Sequence, residues 1–290
     1  MAEHETGRTA LSALRWAAER LREIPDPRLD AEYLLAEALG VSRLEMLLSK
    51  QRELTDAERA AYAALVERRA GREPLQYILG TQPFMGFPFR ADKRALIPRN
   101  DTEALCQAAL TALRPGDRAL DLCTGSGALA VALKKLCPGA SVTASDISAD
   151  ALALAKENAK ALGADVRFVR GDLFSPVENE RFDLIVSNPP YIPDGFRGRL
   201  QAEVEREPAL ALFAGPDGLD FYRRIICEAP LYLTPRGLLF LETGDGEAEA
   251  VAALLRRDFE DIRFKNDLNG LPRVVSARIK EARTHAGSAV

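Results

Sequence analysis

Histidine is nearly missing from this chain: its 290 residues contain two, His4 and His285, both in terminal stretches that read as frayed. A catalytic histidine must be held rigidly against its partner, so a Ser-His-Asp triad or a histidine base is disfavoured. Carboxylates, amides, tyrosines and a bound cofactor are left to carry any chemistry. The four cysteines, Cys106, Cys123, Cys137 and Cys227, lie far apart without Cys-x-x-Cys spacing. That pattern argues against a metal site or a redox pair and reads as buried, reduced thiols. No apolar stretch approaches the roughly 18 residues that span a bilayer. The start, Met1-Ala2-Glu3-His4-Glu5, has neither the basic nor the apolar region of a signal peptide, so a cytoplasmic protein without a membrane partner is expected. No run of Lys or Arg exceeds two residues, and a net charge of -4 with a pI near 5.5 gives no electrostatic footprint for nucleic acid.

What is present falls into three textures. Residues 8–70 read as helices only: Leu11, Leu14, Ala17, Ala18 and Leu21 recur at helical spacing, and Pro25-Asp26-Pro27 interrupts. Ala31, Leu34, Leu35 and Leu39 then resume the pattern up to a Gly40 cap. Leu44 to Leu48 reads only as a short apolar stretch, and Thr55-Asp56-Ala57-Glu58 has capping-box form and opens a helix that Gly71 closes. The expected organisation is an N-terminal helical bundle over 1–72, a β-hairpin linker over 73–100 with β-rich pieces at Gln76–Leu79 and Phe84–Phe89, and an α/β domain over 101–290. In that last part strand and helix alternate and the chain finishes in two strands with no helix between them. A mostly parallel, Rossmann-like sheet with an antiparallel terminal strand is expected.

Four stretches of the α/β part carry chemistry. In Asp121-Leu122-Cys123-Thr124-Gly125-Ser126-Gly127 a strand runs into a glycine-containing turn that opens a helix, bringing backbone N–H groups close to a ligand. Gly125-x-Gly127-x-x-Ala130 also matches the dinucleotide fingerprint. Asp121 tips the balance, because its carboxylate suits a ligand's ammonium group and opposes a pyrophosphate. Asp146 follows about 20 residues later, where an acidic residue accepts from both hydroxyls of a ribose; alone it is equally able to cap the next helix. Asp172 and Leu173, after the next strand, offer an acceptor for an adenine amino group and an apolar cover for the ring, or form a plain turn.

The fourth stretch is Asn188-Pro189-Pro190-Tyr191, closing the apolar run Phe182 to Ser187. Two prolines must end the strand. The Asn188 side-chain carbonyl and the Pro189 backbone carbonyl are adjacent acceptors that can hold a planar NH2 group by its two hydrogens, aiming the nitrogen lone pair outward, while Tyr191 stacks on its flat face. On these residues a methyl acceptor bearing such a group is expected. An NAD-dependent oxidoreductase, an adenine or cytosine amino-methyltransferase and a non-catalytic adenosine sensor stand as the other readings.

These motifs resemble the class I S-adenosylmethionine-dependent methyltransferases. Together with Glu73 to Gly80, Leu96-Ile97-Pro98-Arg99-Asn100-Asp101-Thr102-Glu103, Glu207-Pro208-Ala209-Leu210 and Gly218 to Arg223, they are similar to the release factor glutamine methyltransferase family, HemK/PrmC, over nearly the whole chain. The resemblance implies N5 methylation of a glutamine in class 1 peptide chain release factors, supporting translation termination. It implies S-adenosyl-L-methionine as cofactor, S-adenosyl-L-homocysteine as product, and a monomer whose helical bundle contacts the protein substrate. Carried over by position, it makes Cys123, Thr124, Gly125, Ser126, Gly127, Asp146, Asp172, Leu173 and Asn188 cofactor contacts, beside Asp121. Asn188, Pro189, Pro190 and Tyr191 would receive the glutamine. The chain departs from the pattern at Cys123, where glycine is usual, and at Asn100, where proline is. A cysteine at 123 is expected to need an ordinary, negative φ. Near Gly244, where related chains often carry a glutamine, Asp245-Gly246-Glu247 stands and is assigned no role.

Overall fold

The computed structural model describes residues 7–267 and 270–280; His4 and His285 lie outside them. The chain divides into two compact units, one of residues 1–81 with 201–206, the other of 82–200 with 207–290.

The first unit is helical: α1 (Ala10–Arg20), α2 (Pro27–Leu39), α3 (Arg43–Leu48), α4 (Asp56–Ala70) and α5 (Leu75–Leu79). Its core gathers Leu14, Ala17, Leu34, Leu35, Met46, Tyr62 and Val66, and the Tyr62 hydroxyl donates to the Ala31 carbonyl at 3.0 Å. Gly40 caps α2 in the left-handed region, and Thr55 with Glu58 forms a capping box on α4, each such cap contributing about 1 kcal/mol. Two local readings change. Leu44–Leu48 is helical because Ser42 and Glu45 form a second capping box. The stretch Gln76–Leu79 belongs to a helix, not to a strand: Leu75, Ile78 and Leu79, three and four apart, face the bundle core, and Gly80 at φ 70° stops the turn. Gly71 closes α4 as expected, at φ -72°, and Arg72 after it takes the left-handed conformation.

A buried ion pair, Arg69 Nε to Asp30 Oδ2 at 2.6 Å, lies inside the bundle, and Arg69 Nη1 also donates to Glu203 at 2.8 Å. Segment 201–206 is thereby tied to the helices of its own unit.

The second unit opens with the hairpin β1 (Thr81–Phe84) and β2 (Phe87–Arg90), turned by Met85 and Gly86, both left-handed. Then follow α6 (Asn100–Ala112), β3 (Arg118–Leu122), α7 (Ala128–Leu136), β4 (Ser141–Asp146), α8 (Ala149–Leu162), β5 (Arg167–Arg170), β6 (Phe182–Ser187), α9 (Asp220–Glu228), β7 (Leu233–Glu242), α10 (Ala248–Leu255), β8 (Phe259–Asn266) and β9 (Pro272–Ile279). Pro230 ends α9's region in a short 3-10 turn, so the helical stretch is shorter than periodicity suggests and β7 longer.

Seven strands form one sheet in the order β5-β4-β3-β6-β7-β9-β8, parallel except for β9, which runs antiparallel to both neighbours. Central strands are apolar on both faces, as a covered parallel sheet requires. Leu184 and Val186 of β6 pack with Leu129, Val131 and Leu133 of α7 on one face, while Ile185 points with Leu120, Leu122 and Leu239 toward Ile225 of α9 and Val251 of α10 on the other. Strand order reverses between β3 and β6, so a crevice opens at the carboxyl ends of those two strands.

Candidate active site

That crevice receives the turn after β3, the loops after β4 and β5, and Asn188 after β6. The turn is stitched to its neighbours by backbone bonds: Thr124 N–H donates to the Ser145 carbonyl at 3.0 Å and Gly171 N–H to the Asp146 carbonyl at 3.1 Å. The Ser187 hydroxyl donates to the Leu122 carbonyl at 2.8 Å, locking the ends of β3 and β6 together.

Asp146 holds the turn directly. Its Oδ2 accepts from Gly125 N–H at 2.8 Å and its Oδ1 from Ser148 N–H at 2.9 Å. Ser148, not Asp146, caps α8 by accepting from Ala151 N–H. Burial pushes the Asp146 carboxyl above its ordinary range, opposed by the N–H groups of Ser148, Gly125 and Ile147. Asp121 is turned beneath the same turn, 1% exposed, and accepts from the Thr124 hydroxyl at 2.6 Å. Burial pushes it up to about 7, with the Thr124 bond opposing. Two carboxylates beneath one glycine turn repel a pyrophosphate.

Cys123 adopts φ 58°, a left-handed conformation, which corrects the expected negative value. The turn geometry dictates the sign of φ here, and the thiol side chain lines the crevice. Gly127, at φ 79°, is required for packing rather than for contact: a Cβ there would sit 2.9 Å from the Ala155 Cβ.

An open cleft with about 710 Å³ of empty space is lined by Cys123, Gly125, Asp146, Asp172, Leu173, Asn188 and Pro190, with Ile147, Ala151, Leu210 and Phe221 among its apolar walls. A smaller cavity beside it is lined by Asp121, Cys123, Thr124, Gly125, Ser126 and Asn188, together with Pro98, Arg99 and Thr102. The structure therefore gathers nearly all the sequence-chosen residues, while Gly127, Pro189 and Tyr191 line neither space. Asp172 is exposed and has one oxygen on Arg224 at 2.6 Å; Leu173, at φ 47°, is buried.

Asn188 is held by a residue of the Leu96–Glu103 stretch to which no spacing rule ties it. Its Nδ2 donates to Thr102 Oγ1 of α6 at 3.0 Å, which leaves Oδ1 as the acceptor. Tyr191 packs among the apolar side chains of the α9 and α10 face, and burial raises its hydroxyl pKa. A Cβ on Gly244 would come within 3.0 Å of the Tyr191 ring, and one on Gly218 within 2.3 Å of its carbonyl, so both glycines shape its seat.

Other residues emerge only in three dimensions. Asn158 of α8, 2% exposed, donates to the Ser126 carbonyl at 3.0 Å and accepts from Arg90 N–H at 2.8 Å, joining glycine turn, helix and hairpin. Glu207, also buried, pairs with Arg99 at 2.5 Å and accepts from Ile97 N–H at 2.9 Å, while Glu103 accepts from Met85 N–H at 2.6 Å. Arg99 and Glu103, both from the Leu96–Glu103 stretch, thus tie that stretch to Glu207 and to the hairpin turn. Glu247 accepts from Gly244 N–H at 3.0 Å, and burial pushes it up to about 7. Glu242 ends β7, one strand from Asn188, 1% exposed, and burial pushes it too up to about 7. A carboxylate closing the apolar run Leu238-Leu239-Phe240-Leu241 is the sequence signal that could have found it. Among the described residues no group of His, Cys, Asp and Glu could hold a metal ion, and no helix is long and apolar enough to cross a membrane.

Solved structures share this fold. A methyltransferase from Pyrococcus furiosus superposes with a TM-score of 0.53 at 20% identity, over 68% of this chain and 91% of that one. A T. thermophilus 16S rRNA methyltransferase in complex with AdoMet and guanosine gives 0.50 at 20%, over 69% and 50%. At such identities they establish the class I methyltransferase fold alone. Sequence relatives go further. A family model described as the PrmC N-terminal domain matches residues 12–80, and one described as the methyltransferase small domain matches residues 100–202. A release factor glutamine methyltransferase of Geobacter sulfurreducens is 46% identical over 275 residues, 93% of this chain and 97% of that protein. One of Deinococcus radiodurans is 45% identical over 258 residues, 88% and 92%. With likeness of that degree running through bundle and sheet alike, the chain belongs to the release factor glutamine methyltransferase family.

Proposed function

We propose that this protein transfers a methyl group from S-adenosyl-L-methionine to the side-chain amide nitrogen of a glutamine in a class 1 peptide chain release factor. The observation that supports the reading is the orientation of Asn188: with Nδ2 spent on Thr102, its Oδ1 is left to accept, and together with the backbone carbonyl of the next residue, Pro189, it is assigned to hold a planar NH2 group.

The cleft fits the cofactor chemically. Asp146 keeps lone pairs beyond its two backbone bonds for ribose hydroxyls, Leu173, Ile147 and Phe221 offer apolar walls for adenine, and the Asp121 and Asp146 carboxylates favour a cationic ligand over a phosphate. S-adenosyl-L-methionine supplies a methyl group on a positively charged sulfur. Asn188 Oδ1 and the Pro189 carbonyl fix the amide and bear the positive charge that develops on its nitrogen. Their contribution is alignment and electrostatics, worth about a hundredfold or more for a single such contact.

The bundle over residues 1–72, which holds none of the catalytic residues, is assigned to recognition of the release factor, and 73–100 to linkage. A cytoplasmic monomer without a nucleic-acid partner completes the reading, the acidic composition supporting it. The test is incubation with labelled S-adenosyl-L-methionine and a purified release factor, beside one whose loop glutamine is replaced. Label should enter only the former, and Asn188→Ala should abolish transfer while preserving the fold. Label in the glutamine-less protein, or near wild-type turnover of the variant, overturns the reading.

A further inference from the structure

Glu242 is the polar group in the second unit least accounted for. It is buried at the carboxyl end of β7, and neither of its carboxylate oxygens has a hydrogen-bond partner among the described residues. A buried carboxylate in that state is retained only if something else requires it. Ser187 of β6 pairs with Leu241 of β7, so Asn188 and Glu242 follow side by side on adjacent strands; Thr102 accepts from Asn188 and is also among the groups that act to lower the raised Glu242 pKa.

A threonine hydroxyl has one hydrogen and can face a neighbour as donor or acceptor, so Thr102 alone cannot decide which end of the Asn188 amide it binds. The decision comes from what lies on its other side. An ionised carboxylate only accepts, so the Thr102 hydrogen turns to it and the Thr102 oxygen is left to accept from Asn188 Nδ2. A protonated carboxyl can donate to Thr102, whose hydrogen then points at Asn188 and selects the flipped amide. The flipped Asn188 shows the substrate two hydrogens in place of a lone pair.

We propose that Glu242 is a positioning residue for the methyl acceptor: through the Thr102 hydroxyl its ionised carboxylate sets the direction of a three-residue hydrogen-bond chain, so that Asn188 presents its carbonyl to the substrate amide. The inference rests on the reading of Asn188 as the amide holder. It gives the site a proton-sensitive element within the range where this buried carboxyl titrates. Facing Glu242 are Arg273 of β9, whose Nε is also without a partner, Arg99 and Asp101 at the start of α6, Tyr191 after β6, and Tyr222 of α9. The two arginines favour the ionised form, and burial and Asp101 oppose it.

The test measures methyl transfer to a release factor from pH 5.5 to 8.5 by the full-length protein and its variants. The wild-type kcat should fall as pH drops through about 7. Glu242→Gln should lower kcat on the order of tenfold to a hundredfold, change KM for the release factor by less than about threefold, and flatten that pH dependence. Thr102→Val should match it, Thr102→Ser should restore turnover, and the Val and Gln changes together should cost no more than either alone. A Glu242→Gln enzyme that keeps the wild-type pH profile, or a Thr102→Val enzyme with wild-type kcat, overturns the proposal. Asn188→Ala, run alongside, separates the two readings: near-normal turnover there removes both. An inactive Asn188→Ala beside unaffected Thr102 and Glu242 variants removes this proposal alone.

Discussion

The two sides of the β3/β6 crevice treat their carboxylates in opposite ways. On the glycine-turn side, Asp146 accepts two backbone N–H groups and Asp121 a hydroxyl, so burial is matched by bonds. On the Asn188 side, Glu242 is as deeply buried and has none. The first arrangement rigidifies a loop, since a satisfied carboxylate has nothing to gain from moving. The second keeps a charge in reserve next to the atoms that read the substrate. Cofactor holding and acceptor reading are thus separate physical problems, solved by separate groups that meet only at Asn188.

The largest effect expected from this difference is on the satisfied side. Asp146→Ala removes two charge-assisted bonds worth about 1.5–3 kcal/mol each, and should weaken S-adenosyl-L-methionine binding on the order of a hundredfold or more in calorimetry. The same variant at saturating cofactor should retain most of its kcat, whereas Asn188→Ala should lose kcat with little change in cofactor affinity. Equal losses in both quantities for both variants would erase the distinction between the sides.

Next in size is a stability effect on the unsatisfied side. Burial raises the Glu242 carboxyl from an ordinary 4.5 to about 7, so between those values the native state keeps a proton that the unfolded chain has lost. Stability then falls as pH rises through that window, by about 3 kcal/mol in all, and stays level above it. Glu242→Gln escapes this loss. Its urea midpoint should exceed the wild type at pH 8, with the gap narrowing toward pH 4.5. A gap independent of pH would mean that the carboxyl is not held in the state its burial implies. Together with the expected loss of kcat, a gain in stability would mark Glu242 as kept for activity at the expense of the fold.

The same division explains what could be read from the chain. On the glycine-turn side the interacting residues are near in sequence or one βα unit apart: Asp121 with Thr124, Asp146 with Ser148 and Gly125. Periodicity and motif spacing capture such links, and the parallel sheet with its antiparallel end was legible for the same reason. On the other side Asn188 meets Thr102 and Ile97 meets Glu207, 86 and 110 positions apart. No spacing rule connects them, so the acceptors at Asn188 and Pro189 were visible but not the residue that orients them. Smaller misreadings have local causes. Gln76–Leu79 carries β-prone residues, yet burial of Leu75, Ile78 and Leu79 against the bundle overrides that preference.

The glycine turn itself offers the two smallest and most discriminating changes, because two of its three left-handed residues, Cys123 and Gly127, carry opposite constraints. At Gly127 an alanine would press its Cβ against Ala155 at 2.9 Å and pay the left-handed penalty as well, so Gly127→Ala should destabilise by roughly 2–3 kcal/mol in urea unfolding. Cys123 already bears that penalty at φ 58°, and a glycine there should recover about 1 kcal/mol of backbone strain. Offsetting it are the greater freedom of glycine in the unfolded chain, roughly 0.5–1 kcal/mol, and the loss of the thiol's contacts in the crevice. Cys123→Gly should therefore lie within about 1 kcal/mol of the wild type, opposite in character to its neighbour four residues on. A loss above about 2 kcal/mol would show that the thiol's packing against the β6 end outweighs the strain. The left-handed cysteine would then be a supporting part of the cofactor wall and not a tolerated departure from glycine.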